Sequence, residues 1–182
     1  MNRNTRTLAQ GAMTAALSVI VLLSSEITGG FMMPFLPLPI IIYGIYHTLK
    51  DSILVYVVSI LLVAVIPGQL PTTVMMIMYG FVALVYVGID KKNVPNSVRF
   101  LVVLLGTAIN YIVMIAFFGP FFGLDFNITL TEVRTFLRIN NENLVKTIAI
   151  GFIFITMVLE TIIIFMSANM VRIRLAHHRN KP

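Results

Sequence analysis

Cysteine and tryptophan are absent from this 182-residue chain, and charged residues make up only 11% of it. Without cysteine the chain has no disulfide, no thiolate metal site and no cysteine nucleophile. Soluble globular proteins carry about 25% charged residues, so the composition argues against a water-soluble domain. The apolar share of 58% excludes a disordered chain.

Long stretches of the chain contain no Asp, Glu, Lys or Arg at all. A helix that crosses a bilayer needs about 20 mostly apolar residues, so these stretches predict an all-α integral membrane protein that forms a single domain over residues 1–182. Prolines, glycines and charged clusters divide the chain into six predicted transmembrane helices. The uncharged stretches are 7–25, 27–49, 52–89 and 100–124, and the predicted spans are 8–27, 39–49, 52–66, 72–89, 98–118 and 144–171.

The distribution of basic residues predicts the orientation. Six spans place both termini on one side, and that side holds ten of the 13 Lys and Arg residues. Because Lys and Arg stay on the cytoplasmic side, both termini are expected in the cytoplasm, and the net charge of +6 needs no nucleic-acid partner. The inner set is Arg3, Arg6, Lys50, Lys91, Lys92, Arg99, Arg172, Arg174, Arg179 and Lys181; the outer set is Arg134, Arg138 and Lys146.

The longest predicted external connection, residues 119–143, contains a capping-box pattern at Thr129 and Glu132. Apolar residues that follow share one helical face. The pattern predicts a short amphipathic helix over 129–138, which lies either on the outer membrane surface or over a cavity.

Motifs for hydrolysis are missing. The chain has no phosphate-binding loop and no His-Glu-x-x-His motif, and its histidines are His47, at a helix end, and His177 and His178, in the basic tail. No nucleophile–base pair is visible. We therefore expect no enzyme activity, no metal and no cofactor. Active transport by this chain would need an ion gradient or another subunit.

Two polar residues lie near the middle of predicted spans. Glu160 falls near the centre of span six and Asn110 near the centre of span five. An ionised residue at such a depth costs about 2.5–3.5 kcal/mol on insertion scales. Two interpretations remain open: Glu160 is a neutral acid that is hydrogen-bonded to Asn110 or a tyrosine and ties the bundle together, or both residues form the floor of a polar cavity.

Short spans and clustered prolines indicate a pocket on the outer side. Spans two and three end early near five prolines, and short, proline-interrupted segments mark binding sites in transporters. Helical spacing then places apolar, aromatic and hydrogen-bonding side chains toward that region, which suits a small, flat, uncharged heteroaromatic molecule. Taken singly, each Met or Phe is better explained as ordinary packing, and it is their convergence on one region that indicates a pocket. The candidate binding residues are Gln69, Thr73, Met76, Asn110, Met114, Phe118, Phe152, Thr156 and Glu160.

Small residues recur four apart in span one, as Ala12 and Ala16 and as Gly11 and Ala15. This spacing lets another helix approach closely in a membrane. The spacing leaves open whether that helix belongs to this bundle or to another protein.

Six spans, cytoplasmic termini and the Ala12-x-x-x-Ala16 motif resemble the substrate-binding S component of energy-coupling factor (ECF) vitamin transporters. The resemblance implies a multi-pass protein of the bacterial cell membrane that captures a vitamin from outside. It implies docking through Ala12 and Ala16 onto a transmembrane coupling protein, with ATP hydrolysis on two cytosolic ATPase subunits. It also implies a lid at residues 29–37, which brings Phe31 to the ligand.

Within that family's substrates, the absence of tryptophan disfavours a thiamine site, and the absence of a buried base from the pocket-facing residues disfavours folate. Hydroxymethylpyrimidine or pyridoxine is preferred, with pantothenate or riboflavin as alternatives. Two other functions stay open. The first is a structural membrane scaffold of envelope or cell-shape assembly. The second is a gradient-driven carrier in which Glu160 binds the coupling proton.

Overall fold

A computed structural model describes residues 3–92, 94–122, 126–138 and 141–179. These residues form helices joined by short turns, and no strand occurs among them. A single 3-10 turn, Met33–Phe35, follows the first helix. The helices are α1 (Arg3–Ile27), α2 (Leu38–Tyr46), α3 (Leu49–Ala64), α4 (Leu70–Asp90), α5 (Asn96–Phe122), α6 (Phe126–Leu137) and α7 (Glu142–Arg179).

Four helices, α1, α4, α5 and α7, are long and apolar enough to cross a membrane. Helix α2 has 9 residues and α3 has 16, which at 1.5 Å per residue gives about 14 and 24 Å, against a hydrocarbon core of about 30 Å. The all-helical, multi-span membrane architecture is therefore confirmed, and each predicted span coincides with a helix. Crossing by all six of them stays a prediction.

Contacts between chain segments define two ends of the bundle. The Tyr43 hydroxyl donates to the Thr7 carbonyl oxygen over 3.4 Å, and Lys91 Nζ donates to the Ile45 carbonyl oxygen over 3.4 Å. At the opposite end, Gln69 Nε2 lies 3.4 Å from Glu26 Oε2. We name the end with residues 47–51 and 90–92 the inner end, and the end with residues 28–37 and 65–69 the outer end, following the predicted orientation.

Helix α4 forms the centre of the bundle. Its side chains Met76, Val82 and Tyr86 are fully buried, and it packs against α2, α3 and α5. Close packing requires a glycine on α4, because a Cβ at Gly80 would lie 2.4 Å from the ring of Tyr56 on α3. The Tyr56 hydroxyl then reaches the Ile77 carbonyl oxygen at 2.9 Å.

The helix caps differ from the prediction at α6 and at α3. Helix α6 begins at Phe126, so Thr129 lies in its first turn and the predicted capping box is wrong in position. A capping box does form at α3, where Thr48 Oγ1 accepts from the Asp51 amide and the Thr48 amide donates to the Asp51 carboxylate, both at 3.2 Å. The motif was missed because an aspartate, not a glutamate, occupies its last position.

Candidate functional site

Glu160 lies in the middle of the bundle, on α7, and is 5% exposed. The Tyr111 hydroxyl, from α5, donates to Glu160 Oε2 over 2.6 Å. Tyr79, from α4, approaches the same carboxyl group. Glu160 Oε1 has no hydrogen-bond partner among the described residues. We name Tyr79, Asn110, Tyr111 and Glu160 the buried polar group.

Asn110 is 2% exposed, and within the described part of the chain neither its amide nitrogen nor its amide oxygen has a partner. The hydrogen bond that Asn110 was suggested to make with Glu160 is absent. The next residue, Tyr111, makes it instead, so the tyrosine alternative describes the contact. Successive residues turn by about 100° on a helix, and the longer phenol reaches across to α7 while the amide stays free.

The segment after α1 folds back over the outer side of this group. Its turn begins at Gly29 and Gly30, whose φ angles of 62° and 91° favour glycine. The 3-10 turn packs against α1 and α7, and the Tyr79 hydroxyl donates to the Met33 sulfur over 4.0 Å. This segment therefore contacts the buried polar group through Met33 and Tyr79, and its function as a lid remains a prediction.

The two predicted methionines, Met76 and Met114, lie in the core around the same region. Met76 is 0% exposed and Met114 is 3% exposed, and both belong to the buried cluster that contains Tyr79. Methionine is flexible and polarizable, which suits it to shaped apolar surfaces around a flat ring.

The candidate residues at the outer end, Gln69 and Thr73, make hydrogen bonds away from the buried polar group. Gln69 and Thr72 both bond to the Glu26 carboxylate at the end of α1. The Thr73 hydroxyl donates to the Gln69 carbonyl oxygen over 2.7 Å. Glu26 holds this cluster together and was not among the predicted site residues. Its position, as the one charge between two long uncharged stretches, was the sequence signal that could have identified it.

Three aromatic and hydroxyl candidates lie away from the buried polar group. Phe31 is 74% and Phe152 57% exposed, and the exposed Thr156 donates its hydroxyl to the Phe152 carbonyl oxygen over 2.9 Å. Two residues four apart on a helix differ in direction by about 40°. Thr156 and Phe152, one and two such steps from Glu160, therefore point progressively away from the buried face, on which Met157 lies. Phe118 is half-buried. Ligand contact by these residues remains a prediction.

A second buried charge cluster, at the inner end, was not foreseen. Arg99 is 1% exposed, and its Nη2 lies 3.4 Å from Asp90 Oδ1, while Arg172 Nε lies 3.3 Å from the same oxygen. Arg99 also donates to Asn96 Oδ1 at 3.2 Å and to the Val94 carbonyl oxygen at 3.3 Å. This cluster joins α4, α5 and α7. Its sequence signal was the pair of opposite charges, Asp90 and Arg99, on the two sides of the loop between α4 and α5.

Two cavities lie outside the buried polar group. A small one of about 290 Å³ lies beneath α6 and includes Phe152. A large open groove of about 1430 Å³ lies at the inner end between α1, α2 and α3. Within the described residues, no three acidic or histidine side chains converge as metal ligands would.

Residues 12–148 match the family model described as "Predicted membrane protein (DUF2232)". The chain belongs to the DUF2232 family. No curated protein and no solved structure matches it. The DUF2232 match runs from α1 into the first turns of α7, so it includes Ala12, Asn110 and Tyr111 but ends before Glu160. Family membership supports a membrane location and agrees with the helices long enough to cross a bilayer.

Proposed function

We propose that this chain is the membrane-embedded substrate-binding subunit of an ATP-driven vitamin uptake transporter, similar to an ECF S component. In this proposal α1 to α5 and α7 cross the membrane, α6 lies outside and both termini are cytoplasmic. The observation that carries the proposal is a buried set of free hydrogen-bonding atoms on Asn110 and Glu160, beneath the segment that holds Met33.

Free polar atoms at this depth favour a ligand role. A buried polar group without a partner costs about 1–3 kcal/mol or more, and no water is available in the surrounding lipid. The Asn110 amide offers one donor and one acceptor edge, and Glu160 Oε1 offers an acceptor. A ring with neighbouring amino, hydroxyl and ring-nitrogen groups would satisfy them, which supports hydroxymethylpyrimidine or pyridoxine before pantothenate or riboflavin.

Helix α1 supports the docking half of the proposal. Gly11 and Ala15 are buried, with Gly11 close to Val55 and Tyr43, whereas Ala12 and Ala16 are exposed. One small-residue pair therefore packs inside the bundle and the other remains free for a coupling protein. Replacing Ala12 and Ala16 by Leu should leave ligand binding intact and abolish uptake. Ala116→Leu, also at an exposed alanine but on α5, is the matched control and should leave uptake unchanged.

The first experiment identifies the ligand. The protein is purified gently from cells grown with riboflavin, pyridoxine, pantothenate, thiamine and hydroxymethylpyrimidine, and released small molecules are measured by mass spectrometry. We expect one vitamin in stoichiometric amount. An empty protein whose melting temperature none of these compounds raises would contradict the proposal and favour the scaffold function.

Variants then connect the ligand to the site. Asn110→Leu and Glu160→Gln should both lose the bound vitamin while the protein still folds. Thr161→Val is the matched control, because Thr161 is buried next to Glu160 but its hydroxyl is used by the Met157 carbonyl oxygen at 2.8 Å. Retention of the vitamin by both site variants would place the binding site elsewhere.

A gradient-driven carrier is the second candidate, favoured by the free oxygen of a buried acid at mid-membrane depth. Sealed vesicles that contain only this chain separate the two functions. Accumulation of the vitamin without ATP or partner subunits, abolished by Glu160→Gln, would establish the carrier. Binding without accumulation would support the subunit of an ATP-driven transporter.

A further inference from the structure

The inner groove is open, amphiphilic and separate from the buried polar group. It has a volume of about 1430 Å³ and lies between the first turns of α1, the end of α2 and the first half of α3. Tyr43 closes its base, since its hydroxyl donates to the Thr7 carbonyl oxygen and its ring stacks on His47 with centroids 4.1 Å apart.

Polarity changes along the length of the groove. Its inner rim carries Arg6, His47, Thr48 and Lys91, whereas its deeper wall on α3 carries Leu54, Val55 and Val58. From residue 49 to residue 58, α3 descends about 14 Å, which is the distance from the headgroup region into the acyl-chain region of a leaflet. Leu8 and Leu54, 73% and 61% exposed, present uncovered apolar surface along that path.

Charge at the rim favours an anion. Arg6 and Lys91 line it, and exposed Lys50 and Lys92 lie at the same end. The acid in the lining, Asp51, accepts hydrogen bonds from both the amide and the hydroxyl of Thr48, so its carboxylate is held in the helix cap. Tyr46, 60% exposed, adds an aromatic ring of the kind enriched at membrane interfaces.

We propose that this groove binds one anionic phospholipid, with the phosphate between Arg6 and Lys91 and the upper acyl chains along Leu54 and Val58. Basic pockets between membrane helices on the cytoplasmic side are a known form of anionic headgroup recognition. A soluble phosphate compound would use the rim but leave the apolar wall uncovered. A partner helix would cover the wall but leave the two cations without counter-ions. Ala12 lies at the deep end of the groove and Ala16 outside it, so the bound lipid borders the exposed alanine face at Ala12 and leaves Ala16 uncovered.

Native mass spectrometry of the full chain tests the proposal. The protein is supplied with equal amounts of phosphatidylglycerol and phosphatidylcholine of the same acyl length, and retained lipid is counted. We expect one phosphatidylglycerol per chain. Arg6→Gln with Lys91→Gln should weaken its retention by about thirtyfold. The control, Arg134→Gln with Arg138→Gln, removes the same charge from exposed positions at α6 and should change nothing.

Equal retention of the two lipids, or equal loss in the two double variants, would overturn the proposal. Displacement of the lipid by excess glycerol phosphate would instead identify the groove as a site for soluble phosphate compounds.

A photo-crosslinking residue at Leu54, placed in otherwise unchanged protein in cell membranes, gives a second measurement that does not require the charge variants. An adduct with the mass of an anionic phospholipid supports the proposal. An adduct with a protein and none with lipid refutes it and assigns the groove to a partner.

Discussion

Two acids lie inside this bundle, the half-buried Asp90 and the buried Glu160, and their surroundings differ. At the inner end, Asp90 faces two arginines at 3.4 and 3.3 Å. In the middle, Glu160 has one tyrosine hydroxyl at 2.6 Å and one oxygen without a partner in the described residues. Asp90 is balanced by opposite charge within the chain, although its Oδ1 accepts no hydrogen bond. Among the described residues Glu160 has no opposite charge beside it, and its Oε1 accepts no hydrogen bond either. The contrast separates a polar cluster that holds helices together from one that is suited to bind something.

The two acids also differ in how close they lie to water. The Arg172 side chain of the inner cluster is 35% exposed, so that cluster reaches the end of the bundle. Glu160 lies near the middle of the candidate span Glu142–Arg174. Ionised groups are tolerated near membrane interfaces far better than at mid-depth, which agrees with ion pairing at Asp90 and with a single short hydrogen bond at Glu160.

The largest expected effect on stability is at Asp90. Asp90→Ala leaves the buried Arg99 without its counter-ion, and breaking a buried ion pair in this way costs about 3–5 kcal/mol. Thermal unfolding in detergent measures the loss. Glu142→Gln is the control, because it breaks the exposed pair with Lys146, which is 2.7 Å long, and should cost far less, since exposed ion pairs contribute little to stability. Equal losses would show that the inner cluster is not a structural tie.

The next largest loss of stability is expected from Gly80→Ala, which disturbs the packing beside the buried polar group. Gly80→Ala forces the Tyr56 ring away from α4 and breaks its hydrogen bond to Ile77, and such overpacking costs about 1–3 kcal/mol. Gly151→Ala is the matched control, since no atom lies within 4 Å of its added Cβ. If the two variants unfold at the same temperature, close helix packing does not hold this region together.

Glu160→Gln sharpens the comparison most directly. An amide can still accept from Tyr111, so we expect a change in the free energy of unfolding below about 1 kcal/mol, well under that of Asp90→Ala. Under the proposed function, loss of the bound vitamin accompanies this small change. A loss of stability as large as that of Asp90→Ala, with ligand binding unaffected, would make Glu160 a structural residue.

Asp51, a third acid, lies in the helix cap at the inner end, and the part of its effect that depends on its charge is the smallest of these. Hydrogen bonds from the Thr48 hydroxyl and backbone hold its pKa below the ordinary value of 3.8. Because the folded pKa is the lower one, this contribution is fully present above the unfolded pKa and disappears as pH falls through the folded pKa. Thr48→Ala removes the side chain that caps α3, and loss of such a cap should lower stability by about 1 kcal/mol at pH 7.

Unfolding measured below the ordinary pKa of Asp51, 3.8, should show a smaller difference between Thr48→Ala and the unchanged protein. A difference that is the same at both pH values would mean that the charge of Asp51 adds nothing to the cap.

Helix positions were the part of the structure that sequence reasoning predicted well. Uncharged apolar runs and proline breaks depend on neighbouring residues alone, so each predicted span coincides with a helix of the structure. Rotation about a helix axis was predicted less well. Met76, Met114 and Glu160 face the interior of the bundle, but Phe152 and Thr156 are exposed, because small angular errors accumulate over two turns.

The sequence by itself determined that this chain is helical and lies in a membrane, since backbone groups in lipid must be satisfied within helices and the apolar runs leave no alternative. Tertiary structure decided which polar groups meet. Tyr111, and not Asn110, reaches Glu160, and Asp90 gathers arginines from two other helices. Such pairs depend on the rotation and depth of helices distant in sequence, which only their packing specifies.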